Sequence, residues 1–192
     1  MDMTEGHMSL TREEYMLAEK AKTDDQAFAI LYERYFPKIY AYIFRRLGSR
    51  DATEDIVSVT FEKVFLHLDK FKPNSGTFQA WVYRIATNSV IDHVRKEKHT
   101  VAVDPQELPE EIHPHTDDAQ DLIIKIQDRA AVQKALLKLP ERYQRVIELK
   151  YFSDLTNIEV AEVLEISPNN AGVLLSRALK QFHVHYLEHE KK

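Results

Sequence analysis

Two blocks of helical periodicity, divided by a stretch that has none, limit what this chain can fold into. In the first block, Phe28, Leu31, Tyr35, Ile39, Ile43 and Leu47 recur at steps of three and four residues. Positions so spaced line one face of a helix, and that face must be buried against another element. Gly48 closes the run, since glycine accepts the left-handed conformation that ends many helices. Asp51 with Glu54 three residues on has the spacing of a capping box, the mark of a new helix start. A second stripe follows in Val57, Phe61, Val64, Phe65 and Leu68. Pro73, Asn74, Ser75 and Gly76 predict a turn. A third helix is expected from about Thr77 to Arg95, with Phe78, Val82, Ile85, Ser89 and Val90 facing inward.

From His99 to Asp118 the periodicity disappears. Pro105, Pro109 and Pro114 stand among many Asp and Glu, which predicts a flexible, self-repelling linker. His99, His113 and His115 are read as solvated linker residues, because nothing there would hold them in a ligand geometry. Periodicity resumes in Leu122, Ile126, Ala130, Gln133 and Leu137. Leu139 and Pro140 break it, with Pro140 expected in the first turn of the next helix, which carries Tyr143, Val146, Ile147 and Lys150. Thr156 and Glu159 form a second capping-box pair, opening a short helix of about nine residues with Ile158, Ala161 and Leu164 on its apolar face. Glu165 and Ile166 turn the chain. Ser167 caps the last helix and Pro168 takes its first position. Ala171, Leu175, Ala178, Leu179, Phe182 and Tyr186 are its buried face.

The expected fold is therefore all-α: two small helical domains joined by a flexible linker, the C-terminal one a helix-turn-helix domain. Residues 1–24 are read as an N-terminal extension containing a helix start, 25–98 as the first domain, 99–120 as the acidic linker and 121–188 as the second domain. Apolar residues at 44% and charged residues at 30% belong to a chain that folds in water. No run of eighteen apolar residues is present, so membrane insertion is not expected, and Met1–Glu5 lacks the features of a signal peptide. The absence of cysteine excludes disulfides and thiolate zinc sites and suits a reducing cytoplasm. His, Asp and Glu are scattered with no nucleophile–base set or metal spacing, and Asp92 and His93 are neighbours that cannot share a helix face. No catalytic residue, metal or cofactor is expected.

Charge points elsewhere. The net charge is -5, but residues 101–128 carry 1 basic and 8 acidic groups, whereas residues 25–100 carry 12 and 9 and residues 129–192 carry 10 and 8. Two weakly basic blocks thus flank an acidic one, and local positive charge is what a phosphate backbone meets. On the third helix, Trp81, Arg84, Asn88, Asp92 and Arg95 share the face opposite the core, extended by His93, Lys96 and Lys98. Rings, cations and an amide in one line suit single-stranded nucleic acid. They also suit an ordinary helix whose Trp is partly in the core. In the second block, a short capped helix, a tight turn and a longer capped helix form a helix-turn-helix pattern. Asn169, Asn170, Val173, Ser176 and Arg177, with Lys180 behind, face outward where such helices enter the major groove. A plain helical hairpin has the same pattern.

Four stretches then stand in a particular order. Asp51, Glu54, Asp55, Ile56, Phe61, Lys63, Val64 and Phe65 precede Phe78, Trp81, Arg84, Ile85, Ala86, Asn88, Asp92 and Arg95. Beyond the linker, Leu139, Pro140, Glu141, Arg142, Tyr143 and Val146 are followed by Glu159, Ala161, Leu164, Ile166 and Ser167, leading to Arg177 and Ala178. In this the chain resembles the extracytoplasmic-function (ECF) group of sigma-70 type RNA polymerase sigma factors, over roughly residues 25–98 and 127–187. The resemblance implies a transcription initiation factor that binds core RNA polymerase and directs it to promoter DNA. It places polymerase docking on the first stretch. It places reading of the minus-ten element on the second, with Lys96 and Lys98. Reading of the minus-thirty-five element falls to Ser167, Asn169, Asn170, Val173, Ser176, Arg177 and Lys180. An anti-sigma partner is common in the group. Two departures stand out: Ser58 and Val59 replace the usual Gln and Glu, and Gly172, Val173 and Leu174 replace a basic run. From the residues alone, a helix-turn-helix regulator that forms no holoenzyme, or an adaptor using its helices for protein contacts, remains open.

Overall fold

A computed structural model describes residues 3–72, 76–98 and 131–190, excepting the side chains of residues 3–11, 98 and 188–190. Outside these lie residues 73–75 of the predicted turn, the predicted linker with its three histidines, and Leu122, Ile126 and Ala130. The chain forms two compact units, one centred on residues 1–109, the other on 110–161 and 166–192. The described elements are helical in both.

In the first unit, α1 (Met3–Ala21) packs on α2 (Asp25–Leu47) and α4 (Phe78–Lys98), while α2, α3 (Arg50–Leu66) and α4 pack pairwise. The helix α1 is fastened chemically as well as by its buried Ala18 and Ala21. The Tyr35 hydroxyl donates to the Glu14 carboxylate, and the Lys22 ammonium donates to the Phe71 carbonyl at 3.1 Å. Burial, then the adjacent Glu14 charge, pushes the Tyr35 phenol well above its ordinary pKa. Asp24 caps α2 by accepting from the Gln26 and Ala27 amides at 2.9 and 3.3 Å, and Gly48 ends it at φ +67°. Leu31, Tyr35, Ile39 and Ile43 are buried as expected, as are Ile56, Val57, Phe61 and Val64 of α3, which packs on α2.

The start of α3 corrects the sequence reading. Ser49 is the cap, its Oγ accepting from the Ala52 amide at 3.4 Å. Asp51 already lies inside the helix, and Glu54 accepts from the Arg50 guanidinium at 2.9 Å. Ser49 comes first in the chain and takes the capping place, so Asp51 and Glu54 form no capping box. Phe65, expected on the apolar stripe, is 51% exposed. It lies past the edge of the α3 core face, with the Phe28 ring edge-on at 4.9 Å. After a single 3-10 turn at Leu68–Lys70, Thr77 caps α4, accepting from the Ala80 amide at 3.2 Å. Ile85 is only half-buried, whereas Phe78, Val82, Ser89 and Val90 are buried.

The second unit holds α5 (described over residues 131–137), α6 (Glu141–Ile147), α7 (Asn157–Val163) and α8 (Pro168–Glu190). Pro140 stands one residue before α6, at φ −54° and ψ 142°, and not within its first turn as expected. Its ring fixes an extended entry, and helical geometry begins at Glu141. Past Ile147 the helix widens into a π-helical turn, Glu148–Phe152, closed by the Ser153 amide on the Glu148 carbonyl. Asp154 then takes a left-handed φ of 53°. The Thr156–Glu159 capping box forms in both directions: the Thr156 amide donates to the Glu159 carboxylate at 2.7 Å, and the Glu159 amide to the Thr156 hydroxyl at 3.2 Å. That reciprocity draws Glu159 inward, and the buried arc becomes Val160, Ala161 and Val163. Ile158, expected on it, is 62% exposed.

Between α7 and α8, Glu165 adopts φ 55°. The Ile166 amide reaches back to the Ala161 carbonyl at 3.0 Å and the Glu165 amide to Glu162 at 3.3 Å, the bond pair of a Schellman ending. The Ser167 hydroxyl then accepts from the Asn170 amide at 3.3 Å and starts α8. The helix α8 is held by α6, with Ala171 and Ala178 buried.

Candidate nucleic-acid and polymerase interfaces

Three helix faces carry the residues singled out above. On α4, Asn88, Asp92, Arg95 and Lys96 are exposed and Arg84 is half-buried, so these five form one outward line. Lys98 lies at the helix end, its side chain outside the described residues. His93 belongs to the helix edge, with its Nε2 3.3 Å from the Glu97 carboxylate.

Trp81 departs from the expectation. It lies on the same line by helical angle, yet only 7% of it is exposed. Phe71 and Phe78 pack on the indole at 5.5 and 5.7 Å, and Tyr35 and Tyr15 continue the cluster at 5.4 Å from Phe78 and 6.3 Å from Phe71. The cause is tertiary. The segment entering α4 brings Phe71 over the first turn of the helix and covers the only part of the outward line that is aromatic. Trp81 therefore anchors the start of α4, and the open part of the face is polar and cationic.

On α3, Asp51, Glu54 and Asp55 are exposed, with Phe65 further along. Three residues assigned to docking, Ile56, Phe61 and Val64, are buried. Their side chains hold α3 in place and can act on a partner only through that placement. Lys63 is half-buried and donates to the Ser89 hydroxyl of α4 at 3.1 Å. Of the two departures in this helix, Ser58 donates to the Glu54 carbonyl at 2.8 Å, and Val59 is exposed.

Sequence reasoning missed an aromatic ladder on α2. Phe28, Tyr32, Phe36, Tyr40 and Phe44 repeat at every fourth residue. Tyr32 lies 5.3 Å from Phe36, Phe36 5.9 Å from Tyr40 and Tyr40 6.1 Å from Phe44. Phe61 joins it at 4.7 Å from Tyr32. The signal was present as an unbroken i, i+4 repeat, hidden because the more apolar stripe beside it claimed Phe28.

On α8, Ser167, Asn169, Asn170, Val173, Ser176, Arg177 and Lys180 are all exposed, Val173 to 43%. Asn169, Val173, Ser176, Arg177 and Lys180 share one open patch on the outer surface of the helix. Asparagine amides at the entering end and cations further along can meet base edges and phosphates respectively. Among the described residues no cluster of His, Cys, Asp and Glu is placed to hold a metal ion, and no helix is long and apolar enough to cross a membrane.

A three-helix core carrying α1, followed by a helix-turn-helix unit, is the architecture of a sigma-type transcription factor. The Sigma-70 region 2 family matches residues 31–100, and the Sigma-70, region 4 family matches residues 129–182. The ECF RNA polymerase sigma factor SigW of Bacillus subtilis is 34% identical over 152 residues, covering 76% of this chain and 81% of that protein. The ECF RNA polymerase sigma factor RpoE of Cereibacter sphaeroides is 29% identical over 154 residues, covering 76% and 78%. Among solved structures, CnrH in complex with the cytosolic domain of CnrY has the same fold, with a TM-score of 0.65, 24% identity, and 89% and 95% of the two chains covered. Sigma factor RpoE of Bartonella quintana, bound to the anti-sigma factor NepR, gives 0.63 at 22% identity, with 82% and 95% covered. The chain belongs to the ECF RNA polymerase sigma factors of the sigma-70 family. It is a transcription initiation factor, and its partners are core RNA polymerase and promoter DNA.

Proposed function

We propose a division of labour among the three faces. The exposed edge of α3, with Asp51, Glu54, Asp55 and Phe65, docks on core polymerase. The outward line of α4, with Arg84, Asn88, Asp92, Arg95 and Lys96, engages the minus-ten element as it opens. The outer face of α8, from Ser167 to Lys180, reads the minus-thirty-five element in the duplex. The observation that carries this reading is chemical segregation. The α3 edge is acidic and aromatic and suits a protein surface with complementary cations. The exposed faces of α4 and α8 offer amides and cations, which suit bases and phosphates. Trp81 serves the second task indirectly, by fixing the start of α4. The chain acts in the cytoplasm, performs no chemistry of its own, and leaves RNA synthesis to the polymerase. An anti-sigma protein that covers the α3 edge would hold it inactive; sigma factor RpoE of Bartonella quintana, which shares the fold, is itself bound by the anti-sigma factor NepR.

The decisive experiment measures the α3 edge and the α8 face separately. Asp55→Lys should weaken binding to core polymerase while leaving the chain folded, since Asp55 is exposed. Arg177→Ala should leave polymerase binding intact and weaken binding of holoenzyme to a promoter. Parental affinity for core polymerase in Asp55→Ala and Asp55→Lys alike would overturn the docking assignment.

A further inference from the structure

We propose that Gly172 is a specificity-determining position: its missing side chain leaves a notch on α8 that accepts a thymine methyl group of the upstream promoter element, against Val173. This rests on the reading of α8 as the helix that enters the DNA groove.

Glycine inside a helix is disfavoured, because it gains freedom in the unfolded chain and buries nothing. Three circumstances justify it: a left-handed backbone, a neighbour that leaves no room for a Cβ, or a partner from outside that needs the space. The first fails, since Gly172 is helical and is not among the described glycines with positive φ. The second fails too. A Cβ built on Gly172 meets nothing within 4 Å among the described residues. The third remains, and the surroundings say what the partner brings. Gly172 lies on an open surface of α8 beside Asn169, Val173 and Ser176, with Arg177 and Lys180 continuing the line.

A phosphate is the wrong occupant for the notch itself. The Ala171 amide already donates to the Ser167 carbonyl at 3.0 Å. From there on the helix amides are committed within the helix, so an anion at Gly172 would find no backbone donor. Instead Gly172 presents bare helix backbone on an open surface, and the next residue, Val173, is apolar and exposed. Arg177 and Lys180, further along, are where phosphates would lie. A small apolar projection flanked by hydrogen-bonding base edges fits this arrangement, and in the major groove that projection is the thymine C5-methyl.

The test pairs a methyl added to the protein with a methyl removed from the DNA. Holoenzyme made with this chain is bound to a promoter selected from a library randomised upstream. Each thymine of the upstream element is replaced in turn by deoxyuridine, which lacks only the methyl. For the parent, one such replacement should weaken binding about fourfold, the worth of one buried methyl group. Gly172→Ala should bind the thymine promoter on the order of tenfold more weakly, through overpacking. It should bind the matching uracil promoter as well as the parent does. Its melting temperature should also rise by a few degrees, so misfolding cannot explain the loss. Unchanged binding by Gly172→Ala, or an equal loss on thymine and uracil promoters, overturns the proposal. Arg177→Ala is measured beside it. If that variant also binds like the parent, the reading of α8 as a DNA-reading helix is what has failed. If it binds more weakly while no thymine shows the compensation, only the notch has failed.

Discussion

Trp81→Ala is the sharpest test of the first unit, because the sequence and the structure give it different consequences. The side chain is 7% exposed and packs on Phe71 and Phe78 at 5.5 and 5.7 Å. Truncating a buried tryptophan costs about 3–5 kcal/mol, from lost burial and the cavity left behind. The two ring pairs are part of that sum and are not added to it. In a helical unit of this size each kcal/mol moves Tm by about 4–8 °C, so the first unit should melt about 12–40 °C lower. Thermal unfolding followed by circular dichroism measures this. Trp81→Phe, which keeps a ring beside Phe71, should lose less. The parent offers a second readout, since Trp81 is the only tryptophan of the chain. Its fluorescence should lie to the blue of an exposed indole, resist added quencher, and stay unchanged when promoter DNA is opened. A red-shifted, quencher-accessible emission, with Trp81→Ala within about 0.5 kcal/mol of the parent, would refute the anchoring role and restore the indole as a stacking platform.

Four other outcomes follow from the same geometry. Pro37 is exposed inside α2, where it removes one helix hydrogen bond; Pro37→Ala should stabilise the first unit by about 1–3 kcal/mol in denaturant titration. Thr156→Ala breaks the capping box and strips a partner from the buried Glu159, so the second unit should lose about 0.5–2 kcal/mol, and no change in its unfolding midpoint would count against the box. Asn88→Ala should stay within about 0.5 kcal/mol of parental stability yet slow promoter opening, measured by stopped-flow fluorescence on a labelled promoter. The Asp24 carboxyl is held below its ordinary pKa by the Lys20 ammonium and by the Ala27 and Gln26 amides. A lowered folded pKa adds stability above the unfolded value, about 3.9, and loses it as pH falls through the folded one. Asp24→Asn keeps a capping oxygen but not the charge, so its deficit against the parent should shrink on acidification; a deficit independent of pH would remove the charge from the account.

Why some residues were legible and others not has a consistent pattern. The stripe Leu31, Tyr35, Ile39 and Ile43, the ending at Gly48, the start at Ser167, and the Thr156–Glu159 pair depend on neighbours within one turn of helix. Spacing alone describes them. The Asp51–Glu54 pair had the same spacing and failed, because Ser49 two residues earlier reached the capping place first. On the exposed faces, Asn88, Asp92 and Arg95 on α4, and Asn169, Asn170, Val173, Ser176, Arg177 and Lys180 on α8, were legible because no described residue packs over them. Ile158 and Phe65 were misplaced at the margins of apolar stripes, where a single helical step decides between core and solvent.

The sequence by itself determined the helical period, the separation into two units and the polar identity of the exposed α4 and α8 faces, since each follows from local spacing, charge and backbone preference. Only the tertiary structure decided that Trp81 is buried at the start of α4, that α1 is fastened by Glu14 and Lys22, and that the Ile56, Phe61 and Val64 side chains lie in the core. The physical reason is that burial belongs to pairs of elements. A helix carries its own faces in its sequence, but what covers each face, as Phe71 covers Trp81, arrives from another part of the chain.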